Sequence, residues 1–475
     1  ILMKVRTRFA PSPTGHLHIG GVRTALYNFL FARHAGGQFI VRIEDTDRAR
    51  TVPGTQEEIL DILKRAGLTY DEGPDIGGKY GPYVQSERLE MYRKYAEELA
   101  EKGATYWCVC STERLEKMRE EQKKRGEMPK YDGQCRDKKC APDGAVLRLK
   151  IPAGRTITFN DAIRGDVSFA SNDVDDQVLL KSDGFPTYHL ANIVDDHLMK
   201  ITHVIRGEEW LSSTPKHILL YEAFGWKPPT FAHLPLILSG EGGKLSKRSG
   251  HAAAMDYFEQ GYLPEALLNF LALLGWNPGG DREVYSLEEL IGVFDLAKVN
   301  KSGAVFSLDK LNWLAHEHMK QADPKRLAKL AEPFLKKKGL EPPHNLVDIL
   351  RVEQQRIAML SEVGEETQFV FVDELNYKPA LLVAKKSNKE EAKDRLGKTQ
   401  VFLTTFSEKE WGTATLEKKL LAWIKEHNLG NSQTLWPLRV ALTGREKSPG
   451  PFEAAALLGK ERTLERVACA FKKLG

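Results

Sequence analysis

The first forty residues change from a strand pattern to a helical pattern and back. Polar and apolar residues alternate over 4–9 and give way to a turn-rich segment, 11–15. Apolar residues then recur at helical spacing over 22–32. A glycine pair at 36–37 supplies a left-handed stop before 39–43, a mostly apolar run typical of a buried strand. This order predicts a β-α-β unit with parallel strands.

Polar clusters follow both predicted strands, at 12–20 and at 44–48. Because ligands of parallel sheets bind beyond the carboxyl ends of the strands, both clusters are candidate site residues. Residues 18–21 (His-Ile-Gly-Gly) precede the helix, whose free N–H groups and positive dipole end suit a phosphate. Gly20 permits close approach, and His18 can donate to an oxygen that gains charge as pyrophosphate leaves. Taken alone, such a histidine is more often a surface or capping residue.

Three later parts of the chain follow different patterns. Residues 188–197 and 203–210 resemble another helix and strand of the same sheet, whereas about 105–181 interrupts the α/β pattern. Beyond residue 244 the pattern is largely helical and carries no metal or nucleotide motif. We therefore expect an α/β domain with an insertion, followed by a helical region.

Composition narrows the class of protein. The 475 residues exceed one compact domain, and 69 basic against 65 acidic residues give a net charge of only +4. Any RNA contact must therefore use local patches. The longest apolar stretch, 267–276, is interrupted by Asn269 and falls short of the roughly 18 residues that span a bilayer. We expect a cytoplasmic monomer with no membrane contact.

Four of the five cysteines fall within the interrupting segment: Cys108, Cys110, Cys135 and Cys140. Thiolates at about 2.3 Å around zinc would pin hairpin ends that otherwise bury little. The C-x-C spacing is tighter than the usual zinc spacing, so four reduced thiols remain an alternative.

The motifs resemble those of a known family. Residues 8–15 (Arg-Phe-Ala-Pro-Ser-Pro-Thr-Gly), then 18–20 and 42–47, resemble the N-terminal signature of bacterial glutamyl-tRNA synthetases, which belong to class I. Gly21 departs from the pattern, because many class I synthetases carry a second histidine there. Residues 244–248 (Lys-Leu-Ser-Lys-Arg) resemble the KMSKS loop of this class, although a lysine-rich loop alone is usually solvated surface.

The resemblance implies both a fold and an activity. The fold is α/β: a class I Rossmann-type parallel-sheet catalytic domain split by an acceptor-binding insertion, followed by an α-helical anticodon-binding region. The activity is ATP-dependent activation of L-glutamate, with Mg²⁺, to glutamyl-adenylate, and transfer of glutamate to the 3′ end of tRNA(Glu). The implied catalytic domain has two halves, 1–104 and 188–243, separated by the insertion at 105–187. The loop and stem-contact domain follows at 244–323, and the two anticodon-binding domains at 324–379 and 380–475.

The resemblance also assigns site residues. It implies catalytic roles for His18, Lys244 and Lys247. The implied ATP-binding residues are His18, Gly20, Lys244, Ser246, Lys247 and Arg248. The implied glutamate-binding residues are Arg8, Ala10, Ser12, Glu44, Tyr188, Asn192 and Arg206.

This assignment is chemically consistent, since a substrate with two carboxylates and one ammonium needs two guanidinium partners and one acid, which Arg8, Arg206 and Glu44 provide. Neutral glutamine would leave one arginine unpaired. Trp210 is either a neighbour of the adenosine or a core residue.

Some relatives bind zinc in this insertion through three cysteines and a histidine two residues after the third. Asp137 occupies that position here. We select Cys140 as the softer fourth ligand, keep Asp137 as the alternative, and expect a structural role because no position would remain for substrate.

Four alternatives remain. A nucleotidyltransferase that needs no tRNA, or a tRNA-modifying relative without anticodon domains, is disfavoured by the long helical region. A non-catalytic RNA-binding relative is disfavoured by the intact His18, Glu44 and Lys247. A non-discriminating synthetase that also charges tRNA(Gln) stays open.

Overall fold

The computed structural model describes residues 4–240, 243, 245 and 253–475, and these form two compact units. The first unit comprises the chain up to Tyr257 together with Pro264–Leu311. The second comprises Phe258–Leu263 and Asn312–Gly475. The six domain boundaries given above are finer than this division and stay predictions.

The first unit opens with the predicted β-α-β arrangement. Strand β1 (Arg6–Phe9) leads into helix α1 (Ile19–His34) and strand β2 (Gln38–Val41). The strands are parallel, with Arg6 opposite Gln38 and Phe9 opposite Val41. Gly36 has a φ of 61°, so the helix ends in the left-handed conformation that the glycine pair predicts. The expected parallel α/β architecture is confirmed.

The remaining α-helices and strands that the structure describes in or entering this unit are numbered in chain order. They are α2 (Thr55–Arg65), α3 (Leu89–Glu101), β3 (Thr105–Cys108), α4 (Thr112–Lys124), β4 (Val146–Leu149), β5 (Thr156–Asp161), β6 (Gly165–Ala170), β7 (Val178–Leu180), α5 (Tyr188–Leu198), β8 (His203–Gly207), α6 (Thr214–Phe224), β9 (Thr230–Leu234), β10 (Ile237–Leu238), α7 (Ala254–Gln260), α8 (Pro264–Leu273), α9 (Leu287–Val293), β11 (Ala304–Val305) and α10 (Leu308–Gln321).

Two sheets frame the site. Strand β9 pairs in parallel with both β8 and β5, and β6 adds an antiparallel edge. The backbone N–H of Thr202, just before β8, donates to the carbonyl of Arg6, so β8 runs beside β1. Strands β3, β4 and β7 form a separate antiparallel sheet. Strands β5 and β6 fall inside the predicted insertion segment, yet they extend the sheet of β8 and β9.

Helix α1 is buried on most of its surface, and this fixes the loop in front of it. Its apolar residues Ile19, Val22, Leu26 and Leu30 have no exposed surface, and burying each contributes roughly 1.5–3 kcal/mol. The carbonyl of Asn28 accepts from Thr7 of β1 at 2.9 Å. Because the helix cannot shift without breaking these contacts, its N-terminus is a rigid place for a ligand.

The second unit is helical, as the sequence predicts. After α10 its helices are α11 (Pro324–Lys337), α12 (Leu346–Glu353), α13 (Gln368–Phe371), α14 (Lys389–Thr404), α15 (Thr413–Glu426), α16 (Asn431–Thr443) and α17 (Pro451–Lys473). A kink at Gly459, where φ is 77°, divides α17. Among the described residues of the chain, no helix combines the length and apolar character needed to cross a membrane.

Candidate functional site

One cavity of about 320 Å³ lies beyond the carboxyl ends of β1 and β8. It brings together every predicted glutamate-binding residue and two of the predicted nucleotide-binding residues. These are Arg8, Ala10, Ser12, Glu44, Tyr188, Asn192 and Arg206, with His18 and Gly20. The other predicted nucleotide-binding residues, Lys244, Ser246, Lys247 and Arg248, lie outside the described residues.

The start of α1 forms one wall of this cavity. His18 is the N-cap of the helix, and its Nδ1 accepts from the backbone N–H of Gly20 at 3.0 Å. No acidic residue lies in the first turn, so the positive end of the helix dipole is not offset there. A Cβ at Gly21 would lie 2.7 Å from Leu17 Cδ1, so a larger residue at this position would require the Leu17 side chain to move. The wall therefore suits an anion such as a phosphate.

Arg8 is held in a buried ionic network behind the cavity. Its Nε donates to both oxygens of Asp196, at 3.2 and 3.3 Å. Asp196 also accepts from Arg42 at 2.8 Å, and Arg42 donates to Glu44 Oε1 at 2.8 Å. No described residue accepts from the two Nη groups of Arg8. One side of the guanidinium is thus anchored while the other can bind a carboxylate.

The carboxyl groups of this network differ in their electrostatics. Burial raises the pKa of Glu44, and this outweighs the opposite effect of Arg42 and Arg8. Burial also acts to raise the pKa of Asp196, but Arg8 and Arg42 together lower it below its ordinary value. Asp196 is therefore the permanent anion of the network. Among the described residues no donor contacts Glu44 Oε2, so an incoming ammonium could bind there and favour the carboxylate form.

Arg206 on β8 is buried, with 4% of its surface exposed, and among the described residues it contacts no carboxylate. Its five N–H groups meet uncharged acceptors: His233 Nε2 at 3.1 Å, the Tyr188 hydroxyl at 2.8 Å, His217 Nδ1 at 3.3 Å, the Thr214 hydroxyl at 2.9 Å and the carbonyl of Trp210 at 3.5 Å. A buried guanidinium without a counterion is costly unless an anion arrives. Because Tyr188 accepts from Arg206, its own O–H can donate into the cavity.

The cavity thus offers a complementary set of charges. Arg8 and Arg206 can attract two carboxylates, Glu44 can accept from one ammonium, and the start of α1 can bind an anion beside them. Trp210 lies on the cavity wall with its ring 4.2 Å from that of Tyr188, so it is a cavity residue rather than a core residue.

The cysteines of the insertion form a separate cluster. One sulfur each from Cys108, Cys110 and Cys135 lies within 4.8 Å of the others, and the Cys110 and Cys135 sulfurs are 3.6 Å apart. Bonds of about 2.3 Å to a tetrahedral zinc would separate two sulfurs by roughly 3.8 Å. The three thiols therefore fit zinc in both chemistry and spacing.

The structure offers two candidates for a fourth ligand. Cys140 interacts with Cys135 but lies outside the group of three. Tyr131, which the sequence analysis missed, places its hydroxyl 3.3 Å from the Cys108 sulfur and 3.4 Å from that of Cys110. Asp137 is 87% exposed at its side chain and pairs with a lysine, so it does not face the cluster. The spacing Tyr-x3-Cys was the only available sequence signal for Tyr131.

A family model described as tRNA synthetases class I (E and Q), catalytic domain, matches residues 4–313. The chain belongs to this family. A second model, an anticodon binding domain, matches residues 326–471 of the synthetase.

Named relatives resemble the synthetase over nearly its whole length. It is 47% identical to a glutamate–tRNA ligase of Dehalococcoides mccartyi and 44% identical to that of Chloroherpeton thalassium, with 99% of this chain and 98% of each relative covered. A solved glutamate tRNA ligase from Elizabethkingia meningosepticum, in complex with its amino acid, superposes with a TM-score of 0.87 at 38% identity. That match covers 99% of this chain and 100% of the other.

Proposed function

We propose that this protein is a glutamate–tRNA ligase that activates L-glutamate with ATP and transfers it to the 3′ end of tRNA(Glu). The observation that carries the proposal is Arg206, a buried guanidinium with no carboxylate partner among the described residues, in the same cavity as Arg8 and Glu44. This set complements an amino acid with two carboxylates. The 44–47% identity to glutamate–tRNA ligases over 99% of the chain supports it.

Most of the predicted site residues in the cavity have a defined part in activation. Arg8 and Arg206 hold the carboxylates, Glu44 binds the ammonium with Asn192 beside it, and Ala10 and Ser12 complete the pocket wall. The α-carboxylate then attacks the α-phosphorus of ATP, which forms glutamyl-adenylate and releases pyrophosphate. Gly20 lets a phosphate approach α1, and His18 donates to the oxygens that gain charge. Mg²⁺ accompanies ATP and offsets its phosphate charge.

Lys244, Ser246, Lys247 and Arg248 complete the nucleotide site in this proposal. Their assignment rests on their resemblance to the KMSKS loop, in which ammonium groups neutralise the departing pyrophosphate. Lys247 is proposed as the main contact and Lys244 as the second.

A structural zinc is proposed for the insertion. Cys108, Cys110 and Cys135 would hold it, with Cys140 as the predicted fourth ligand and Tyr131 as the competing oxygen donor. Bound zinc would cross-link segments of the insertion that contribute little core of their own. The protein is further proposed to act as a monomer in the cytoplasm.

Charging of purified tRNA(Glu) and tRNA(Gln) with labelled glutamate and labelled glutamine tests the activity. We expect glutamate, and not glutamine, on tRNA(Glu). Glutamate on tRNA(Gln) as well would identify a non-discriminating enzyme. If neither tRNA accepts glutamate, the proposed function is wrong.

A further inference from the structure

Behind the cavity, a buried imidazole contacts Arg206, and a buried carboxylate contacts that imidazole. Asp161, at the end of β5, and His233, on β9, have side chains with no exposed surface. Asp161 Oδ2 lies 2.6 Å from His233 Nδ1, and His233 Nε2 lies 3.1 Å from Arg206 Nε. Neither Asp161 nor His233 lines the cavity.

This geometry fixes the protonation of His233. The Nε of Arg206 always carries a proton, so His233 Nε2 must accept it. The imidazole proton is then on Nδ1, where it is donated to Asp161. Burial lowers the pKa of His233 although the hydrogen bond to Asp161 acts to raise it, so a neutral ring at working pH is consistent with this arrangement. His233 has only one tautomer compatible with the contact to Arg206.

The same reasoning fixes the proton position of a second imidazole, His217. His217 Nδ1 faces Arg206 Nη1 at 3.3 Å, and its Nε2 faces His189 Nδ1 at 3.1 Å. His217 therefore accepts from the arginine and donates to His189. Burial lowers the pKa of both His217 and His189, the latter to about 3. The acceptors that the structure describes around Arg206 are thus neutral, and Asp161 is linked to Arg206 only through His233.

We propose that Asp161 and His233 are positioning residues for substrate recognition: they orient Arg206 while leaving its positive charge available to a carboxylate of the amino-acid substrate. A carboxylate in direct contact with Arg206 would orient it equally well but would neutralise it. Because the imidazole lies between the two groups, Asp161 can orient Arg206 through His233 without neutralising the charge of Arg206. This inference rests on the proposed function, since it assigns Arg206 to the glutamate pocket.

Replacing Asp161 by asparagine gives a defined perturbation. Oδ1 accepts from the backbone N–H groups of Ile163 at 3.0 Å, Arg164 at 2.9 Å and His233 at 3.3 Å, so the amide oxygen of Asp161→Asn must occupy this position. The amide NH₂ then faces His233 Nδ1 and forces the proton to Nε2. Two donors, Arg206 Nε and His233 Nε2, would oppose each other, and the arginine would turn away.

The test measures glutamate charging in the presence of tRNA(Glu). We expect Asp161→Asn to raise KM for glutamate about 10- to 100-fold, the effect of losing a hydrogen bond to a charged group, while KM for ATP changes by less than about twofold. Asp176→Asn is the matched control, because Asp176 is also buried and accepts from a tyrosine, an arginine and a backbone N–H but does not contact Arg206. The control should leave KM for glutamate unchanged.

A double-variant cycle separates positioning from a merely structural role. The side-chain oxygen of His233→Gln can accept from Arg206 whatever residue 161 is, so Asp161→Asn should add less than about threefold in that background. An equal loss in both backgrounds, or an unchanged KM for glutamate in Asp161→Asn, would overturn the proposal.

A further comparison needs no change at Asp161, in case that variant does not fold. His233→Gln keeps an acceptor for Arg206 and His233→Leu removes it, so only the second should raise KM for glutamate about tenfold or more. Equal KM values for the two would overturn the positioning role. A wild-type protein that charges no tRNA with glutamate would instead refute the proposed function, and this inference with it.

Discussion

Removal of the Arg206 guanidinium should lower kcat/KM for glutamate far more than it lowers stability. The side chain is 4% exposed and has no carboxylate partner in the part of the chain that the structure describes, so a substrate carboxylate would be its direct counterion. Truncating one partner of a buried charge pair costs roughly 2–5 kcal/mol. We therefore expect Arg206→Ala to reduce kcat/KM for glutamate by about 30-fold to several thousand-fold.

Two further variants show whether the loss comes from charge or from general disruption. Arg206→Lys keeps the charge but loses the fork of donors that contacts Tyr188 and Thr214, so an intermediate loss is expected. Arg148→Ala is the matched control, because Arg148 is equally buried on β4 but donates to the carbonyl of Asp176 and lies outside the cavity. This control should change the melting temperature without changing KM for glutamate.

Glutamine distinguishes the two arginines of the pocket. Replacing the arginine that faces the substrate side chain by alanine should lower kcat/KM for glutamate far more than kcat/KM for glutamine. Replacing the arginine that faces the α-carboxylate should lower both values alike. The assay is charging of tRNA(Glu) with each amino acid by Arg8→Ala and Arg206→Ala. Wild-type kcat/KM for glutamate in both variants would refute the guanidinium pair as the specificity device.

Three other predictions follow from the sequence and the structure. Lys247→Ala should slow adenylate formation by about 10²-fold while glutamate affinity stays nearly constant, and a variant that loses only glutamate binding would contradict the phosphate role. Protein purified without chelator should contain about one equivalent of zinc, and less than about a tenth of an equivalent would exclude the site. If Cys140→Ser retains the zinc but Tyr131→Phe loses it, the phenol of Tyr131 is the fourth ligand. Arg42→Met should lower the free energy of unfolding in urea by about 3–5 kcal/mol, since it leaves buried carboxylates unpaired. Burial acts to raise the pKa of Asp196, but Arg8 and Arg42 together bring it below its ordinary value, so its contribution to stability is present above the unfolded-state pKa of about 3.9 and is lost as pH falls below it. The loss of stability caused by Arg42→Met should therefore be smaller at acid pH than at neutral pH, and an equal loss at both would contradict this pairing.

Local periodicity was sufficient to predict the elements that carry the site. The helix predicted over 188–197 is Tyr188–Leu198, and the strand predicted over 203–210 ends at Gly207, after which a 3₁₀ turn begins. Just beyond the strand, Glu208 Oε1 accepts from the backbone N–H of Leu236 at 2.9 Å, a contact between distant segments that local periodicity does not reveal.

Contacts between distant segments could not be predicted in this way. Asp161 and His233 are 72 positions apart, and Arg42 and Asp196 are 154 apart. An arginine inside an apolar strand run, such as Arg42, indicates that a buried partner exists, because an unpaired buried charge is costly. It does not indicate which carboxylate that partner is, since the answer depends on how β2 and α5 pack.

The structure therefore adds the one property that separates a structural arginine from a substrate-binding one. Arg42, directly after β2, and Arg206, on β8, are both buried in the same unit and would look alike in a sequence pattern. Arg42 contacts Asp196 and Glu44 and is fully compensated, whereas Arg206 contacts neutral imidazoles and hydroxyls. Arg8 lies between these cases, with its Nε bound to Asp196 and its Nη groups facing no described acceptor. A guanidinium attracts a substrate carboxylate only to the extent that carboxylates of the protein have not already neutralised its charge. The affinity of this pocket for glutamate is therefore determined by where the protein lacks carboxylates as much as by where its arginines lie.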